Sequence, residues 1–138
     1  MEIKRITDIP DVLKCLPFER EIRKKGRDNI RESQMLMFIQ SYIDSPYFSF
    51  LMAYDDNGEI IGYAAAYISI IAGIGNKLHL SRLHAKREDV FEALTDTLRT
   101  WAKENKCKTV QITATNHIKA IQRKYKFVPV SVTLERRI

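Results

Sequence analysis

His84 stands near the end of a β-rich run, "KLHLSRLHA", and an imidazole that titrates at about 6.5 can take up a proton near neutral pH. Directly after it come Lys86, Arg87, Glu88 and Asp89. An amphipathic run follows, in which Val90, Leu94, Leu98 and Trp101 recur at helical spacing. A polar turn opening a helix offers backbone N–H groups and the positive end of the helix dipole to an anion such as phosphate. Two features oppose that use. The turn contains no glycine, and Asp89 puts a carboxylate where the anion would sit. Asp89 and Glu92 also have the spacing of a capping box, which predicts that Asp89 occupies the same N–H groups. Lys86 and Arg87 could instead meet phosphates with their side chains.

The other two histidines, His79 and His117, complete no metal-ligand spacing with His84, and no metal is expected. His117, beside Asn116, reads as a helix-start residue. Cys15 and Cys107 read as small buried residues of a reduced chain, which points to the cytoplasm.

The 138 residues suit one domain, 1–138, and 45% apolar with 29% charged residues is ordinary for a globular protein. "MEIKRITDIP" lacks the apolar core of a signal peptide, and "IIGYAAAYISIIAGIG" is too short and too interrupted to span a bilayer. The net charge of +6 is concentrated in "REIRKKGR" (Arg20–Arg27). This run reads as a solvated helix end with cations near the negative dipole terminus. Without interleaved aromatics it makes a poor platform for nucleic acid.

These residues must be held by elements that alternate in period. "EIKRI" predicts a first strand. Asp8 predicts a cap for a helix carrying Val12, Leu13 and Leu16, which Pro17 kinks or restarts before a stop at Gly26. "ESQMLMFIQSYID" puts Met35, Leu36, Phe38, Ile39, Tyr42 and Ile43 on one helical stripe. Two β-rich runs flank Asp56-Asn57-Gly58, a strong hairpin signal, and "KLHLSRLHA" makes a further strand. After the helix at Asp89 come a strand at "TVQITAT", a helix at "HIKAIQRKY" and a strand at "FVPVSVTLER". The expected order is β-α-α-β-β-β-α-β-α-β, a mixed α/β sheet with helices on its faces.

Over its whole length this order resembles the GNAT superfamily of acyl-CoA-dependent N-acetyltransferases. "AYDDNGEIIGYAAAYI" is similar to the family's central hairpin. "ALTDTLRTWAKENKCKTVQI" is similar to its long helix with a Trp-Ala pair and the strand after it. "NHIKAIQRKYKFVPV" resembles the last helix and the turn out of it, with Lys126 in place of the usual glycine before Phe127. The truncated style also resembles GNAT domains carried by phages and prophages.

The resemblance implies an open sheet with a V-shaped cleft between the fourth and fifth strands. It implies acetyl-CoA as co-substrate, without a metal. The pantetheine arm would pair with the splayed fourth strand, around Leu83 and Ala85. The pyrophosphate would lie at the turn formed by Lys86, Arg87, Asp89 and Val90, with Asn116 and Lys124 nearby. The family's glycines fall on or near Arg87, Asp89 and Phe91 here, so its backbone phosphate cradle is degraded or rebuilt. The usual glutamate on the fourth strand is missing, leaving His84 as candidate base, and Gln122 replaces the usual tyrosine, leaving Tyr125 as candidate acid. The acceptor would be a small-molecule or peptide amine, and the chain could pair as a homodimer. The alternatives are a non-catalytic module acting in protein interaction and a basic nucleic-acid-associated accessory protein.

Overall fold

Asp8 opens the first helix by accepting a hydrogen bond from the Asp11 amide at 2.9 Å, as its position before an apolar run predicts. The computed structural model describes residues 1–25, 32–73, 75–112 and 118–128, together with Leu134, Arg136 and Arg137. The elements run β1 (Glu2–Ile6), α1 (Ile9–Leu13), α2 (Leu16–Lys25), α3 (Glu32–Tyr42), β2 (Phe48–Tyr54), β3 (Ile60–Ile71), β4 (Gly75–Ala85), α4 (Glu88–Glu104), β5 (Cys107–Ile112) and α5 (Ile118–Tyr125). Pro17 restarts the chain as α2, so α1 and α2 are separate helices. Gly26 and most of the expected strand at Phe127–Arg136 lie outside the described residues, as do Asn116 and His117.

The strands lie in the order β1-β2-β3-β4-β5, antiparallel except for the parallel β4–β5 pair. The first hairpin closes through Asp55, whose carboxylate accepts from the amides of Asn57 and Glu59, while Gly58 takes φ +78°. Alternation along β2 and β3 sends Phe48, Phe50, Met52 and Tyr63 to one face, where α1–α3 cover them with Val12, Phe18, Met35 and Ile39. Leu51, Ala64, Ala66 and Leu78 take the other face under Val90, Leu94 and Leu98 of α4. Gly62 allows α4 to sit this close. A Cβ there would lie 2.8 Å from Val90 Cγ1 and 2.9 Å from the His84 carbonyl oxygen.

Two features of β4 shape the cleft. Ala65 pairs with Arg82 and Ala66 with Leu80, so Ser81 is the extra residue of a β-bulge. Pairing with β5 runs only from Asn76 to Leu80, and beyond it β4 continues to Ala85 with no strand partner on that side among the described residues. The expected V-shaped opening falls between this stretch of β4 and residues 113–117, which lie outside the described residues.

The capping box expected at Asp89 does not form. Arg87 is the extended N-cap (φ −140°, ψ 158°) and makes no side-chain cap hydrogen bond, and Asp89 sits one position inside the first residue of the helix. Its carboxylate binds Arg87 instead, at 3.0 and 3.3 Å from Nε and Nη2. The spacing to Glu92 imitated a box, whereas the chain leaves the extended region two residues earlier.

Lys126, which replaces the glycine of the Gly-Phe pair, adopts φ +57° just after α5. A left-handed residue with a side chain costs roughly 1–2 kcal/mol. Lys126→Gly is therefore expected to stabilise the fold by about 0.5–1 kcal/mol, after the entropy of an added glycine is subtracted. A urea midpoint that stays level or falls would show that the Lys126 side chain contributes more than its backbone strain costs.

Candidate active site

Around the last described β4–β5 pair, Leu80 with Ile112, a groove of about 440 Å³ opens between the sheet and α4. Leu80, Ser81 and Leu83 of β4 line one wall, Phe91, Thr95 and Leu98 of α4 another, and Val110, Ile112 and Phe127 close it. Most of this lining is apolar, and the edge of β4 after the bulge, unpaired on this side among the described residues, suits a ligand that can pair like a strand.

At the mouth of the groove lies the N-terminus of α4. Its cations are balanced by acids: Arg87 holds Asp89, and Lys124 of α5 lies 3.5 Å from Glu88. The Arg87 hydrogen bond holds the Asp89 carboxyl below the usual carboxylate range. Lys86 places its ammonium 5.7 Å from the centre of the Phe18 ring. Val90 is fully buried under the helix and Leu83 and Ala85 pack partly against the same core, so of this group Lys86, Arg87 and Lys124 have exposed side chains suited to an anion.

On the opposite face of β4 the bulge turns Arg82 and His84 toward α2. Arg82 Nη2 donates to Glu19 Oε1, Arg82 Nε donates to the Tyr63 hydroxyl at 2.9 Å, and that hydroxyl donates to Glu19 Oε2. Glu19 is 1% exposed and Tyr63 fully buried. Burial pushes the Tyr63 phenol above the usual tyrosine range, so it stays a neutral donor. His84 lies beside this network, its Nε2 3.5 Å from Arg82 Nη2 and its ring 5.5 Å from that of Tyr63.

Of the residues singled out in the sequence, His84 therefore stands on β4 beyond its last described pair with β5, with the helix-mouth residues a short way beyond it. Tyr125 ends α5, and its side chain falls outside the described set. His79 belongs elsewhere: it stacks on Tyr67 at 4.7 Å, contacts Ser69 Oγ at 2.7 Å, and burial lowers its basicity. Burial, reinforced by Glu19, pushes the Cys15 thiol up to about 12, as suits a packing residue. Glu19, Tyr63 and Arg82 were not singled out from the sequence. The available signal was an acid on the apolar stripe of Val12 and Cys15, at the spacing i, i+3, i+7.

The sequence matches no family model, and no curated protein matches it significantly. Solved structures do match. An aminoglycoside 6'-N-acetyltransferase from Acinetobacter haemolyticus is similar at 21% identity, with 100% of this chain and 99% of that one covered and a TM-score of 0.75. The corresponding enzyme from Acinetobacter baumannii gives 18% identity, 99% and 98% coverage, and a TM-score of 0.75. A ribosomal-protein-alanine N-acetyltransferase from Brucella melitensis gives 13% identity, 100% and 98% coverage, and a TM-score of 0.64. The mixed open sheet of this chain is thus the GNAT acetyltransferase fold.

Proposed function

We propose that this chain is an N-acetyltransferase that moves an acetyl group from acetyl-CoA to an amine. One observation carries the reading: the β4 edge after the Ser81 bulge, which no strand among the described residues pairs, borders an apolar groove leading to a helix N-terminus. An arm rich in amides can pair with that edge, and the N–H groups of a helix N-terminus suit a pyrophosphate. Acetyl-CoA supplies an acyl carbonyl bound to a thiolate leaving group, a thiol of pKa about 8.5 in its free form. The chain's task is to hold that carbonyl beside an uncharged amine and exclude water.

Within this reading, Leu83 and Ala85 present backbone to the pantetheine arm, and Lys86, Arg87 and Lys124 receive the phosphates with side chains. Asn116 and Tyr125 remain assigned to the cofactor and the leaving sulfur by their positions in the sequence pattern alone. His84 faces the reacting groups from the side of α1–α3, from which the acceptor would enter. The neighbours named above are called aminoglycoside and ribosomal-protein-alanine acetyltransferases, so both small-molecule and peptide amines remain within the proposed class. No helix among the described residues is long and apolar enough to cross a membrane. A cytoplasmic setting fits the two unpaired cysteines.

The acids at the groove mouth set the test. Asp89→Ala removes a charge that repels phosphate and releases Arg87, without loss of an N-cap. Calorimetric titration with acetyl-CoA is expected to show affinity higher by roughly two- to fivefold, the size of an exposed charge effect at a helix N-terminus. Equal or weaker affinity in the variant would move the phosphates away from this turn. Absence of saturable binding in both proteins would leave the non-catalytic module as the reading.

A further inference from the structure

Positive charge gathers at the end of α4 away from the groove mouth. Residues 99–108, "RTWAKENKCK", carry four cations and one acid, a surplus of three toward the net charge of +6. With 17 residues in α4, this turn lies about 25 Å from the Arg87 end. A second cavity, of about 230 Å³, opens there between α4 and β5, with Arg99, Lys103, Lys108 and Thr109 in its lining. It adjoins the inner end of the groove, since Arg99 and Val110 line both. A water takes about 30 Å³, so the cavity has room for a phosphate group and some of its hydration. The turn itself is firmly held. The Asn105 amide donates to the Trp101 and Ala102 carbonyls, and Asn76 of β4 donates to the Asn105 carbonyl at 2.8 Å. Lys106 then takes φ +60°, a conformation after a helix that favours glycine. The helix dipole favours cations at Lys103 and Lys106 but fades beyond the last turn, and Lys108 stands on β5. Asp96 shares Arg99, at 3.3 Å from Nη1, whereas Lys103, Lys106 and Lys108 pair with no carboxylate among the described residues.

We propose that the α4–β5 turn binds the phosphate backbone of a nucleic acid duplex through Lys103, Lys106 and Lys108, the cavity taking one phosphate between Lys103 and Lys108. Charge complementarity selects a polyanion, and the side chains present select a duplex. A single strand is held by bases stacked on exposed aromatic rings. The aromatic residue of this turn, Trp101, is half-buried and carries the Arg5 guanidinium over its ring, 5.6 Å from the centroid. Lysine contacts to phosphate fix position without reading bases, so binding is independent of sequence. The site needs no acetyl transfer, and the acetyltransferase reading needs no such site.

Fluorescence anisotropy with a short labelled DNA duplex of mixed sequence, at about 50 to 200 mM salt, tests this. Three phosphate contacts give a slope of roughly −3 in log K against log salt. Lys103→Glu with Lys108→Glu should weaken binding at the lowest salt about tenfold or more and flatten the slope by about two. Lys4→Glu with Lys14→Glu changes the net charge equally at the β1 edge of the sheet, and should leave binding within about twofold. Lys106→Gly deletes one ammonium while giving the turn the residue it favours, so the fold is kept and the slope should fall by about one. Absence of binding at the lowest salt overturns the proposal. Equal losses in the two charge-reversed pairs also overturn it, since net charge alone would then explain the binding. Displacement of the duplex by acetyl-CoA would place it in the groove and overturn the assignment to this turn. Vesicles of phosphatidylcholine and phosphatidylserine are the rival polyanion. Tighter binding to them than to the duplex, lost in the Lys103 and Lys108 variant, would give the turn to a membrane surface instead.

Discussion

Arg82→Met is expected to destabilise the fold by about 3–5 kcal/mol, because it leaves the Glu19 carboxylate buried without its counter-charge. For a chain of this length that corresponds to a fall in melting temperature of roughly 10 °C or more. The loss belongs to the uncompensated charge and to the donor withdrawn from the Tyr63 hydroxyl, and not to any large net gain from the ion pair itself. Replacing all three polar partners separates these contributions. Glu19→Leu, Tyr63→Phe and Arg82→Met combined should return to within about 2 kcal/mol of the parent, since apolar side chains of similar volume can replace a buried ionic group. Urea denaturation measures both. A single Arg82→Met variant that costs less than about 1 kcal/mol would mean that water reaches Glu19 and that the network is not dry.

The second large effect concerns turnover. An asparagine amide nitrogen falls near the position of histidine Nδ1, and a glutamine amide nitrogen near Nε2. Neither amide takes up a proton near neutral pH as an imidazole does. With any amine that supports thiol release from acetyl-CoA, His84→Asn and His84→Gln should each lose on the order of a hundredfold in kcat if His84 is the base. The KM for acetyl-CoA should change little in either, because the imidazole acts on the reacting centre. A loss confined to one of the two variants would indicate a hydrogen-bond donor and not a base.

The fold was legible because its signals are local. Helical spacing in Met35 to Ile43, alternation through β2 and β3, the hairpin at Asp56-Asn57-Gly58 and the cap at Asp8 each rest on a few neighbouring residues. The site was less legible, for three separate reasons. The spacing of Asp89 and Glu92 satisfied a capping rule that the backbone at Arg87 does not follow. Glu19 directly precedes the basic run Arg20–Arg27, whose charge invites a solvated reading, and its burial depends on a partner 63 residues away. The third reason is the bulge. Alternation counted along "HLSRLHA" from His79 puts Leu83 on the α2 side, and no property of Ser81 itself announces that one residue must be skipped.

Ser81 thereby sets a reading frame for the second half of β4. Upstream of it, odd-numbered His79 faces α1–α3; downstream, even-numbered Arg82 and His84 do. Deleting that single residue would remove the bulge and leave Arg82 and His84 facing α1–α3, because Leu80 and Arg82 already oppose the consecutive residues Ala66 and Ala65. Straightening the strand with Ser81 retained would instead present Leu83 to the carboxylate of Glu19, and Arg82 to the apolar layer of Val90 and Leu94. For chains of this fold diverging by small insertions and deletions, this is thus a position where one residue can be lost while both faces of β4 keep their partners. Substitutions of Ser81 should be tolerated broadly, and its deletion should cost the local bend of β4 but not the contact between Arg82 and Glu19.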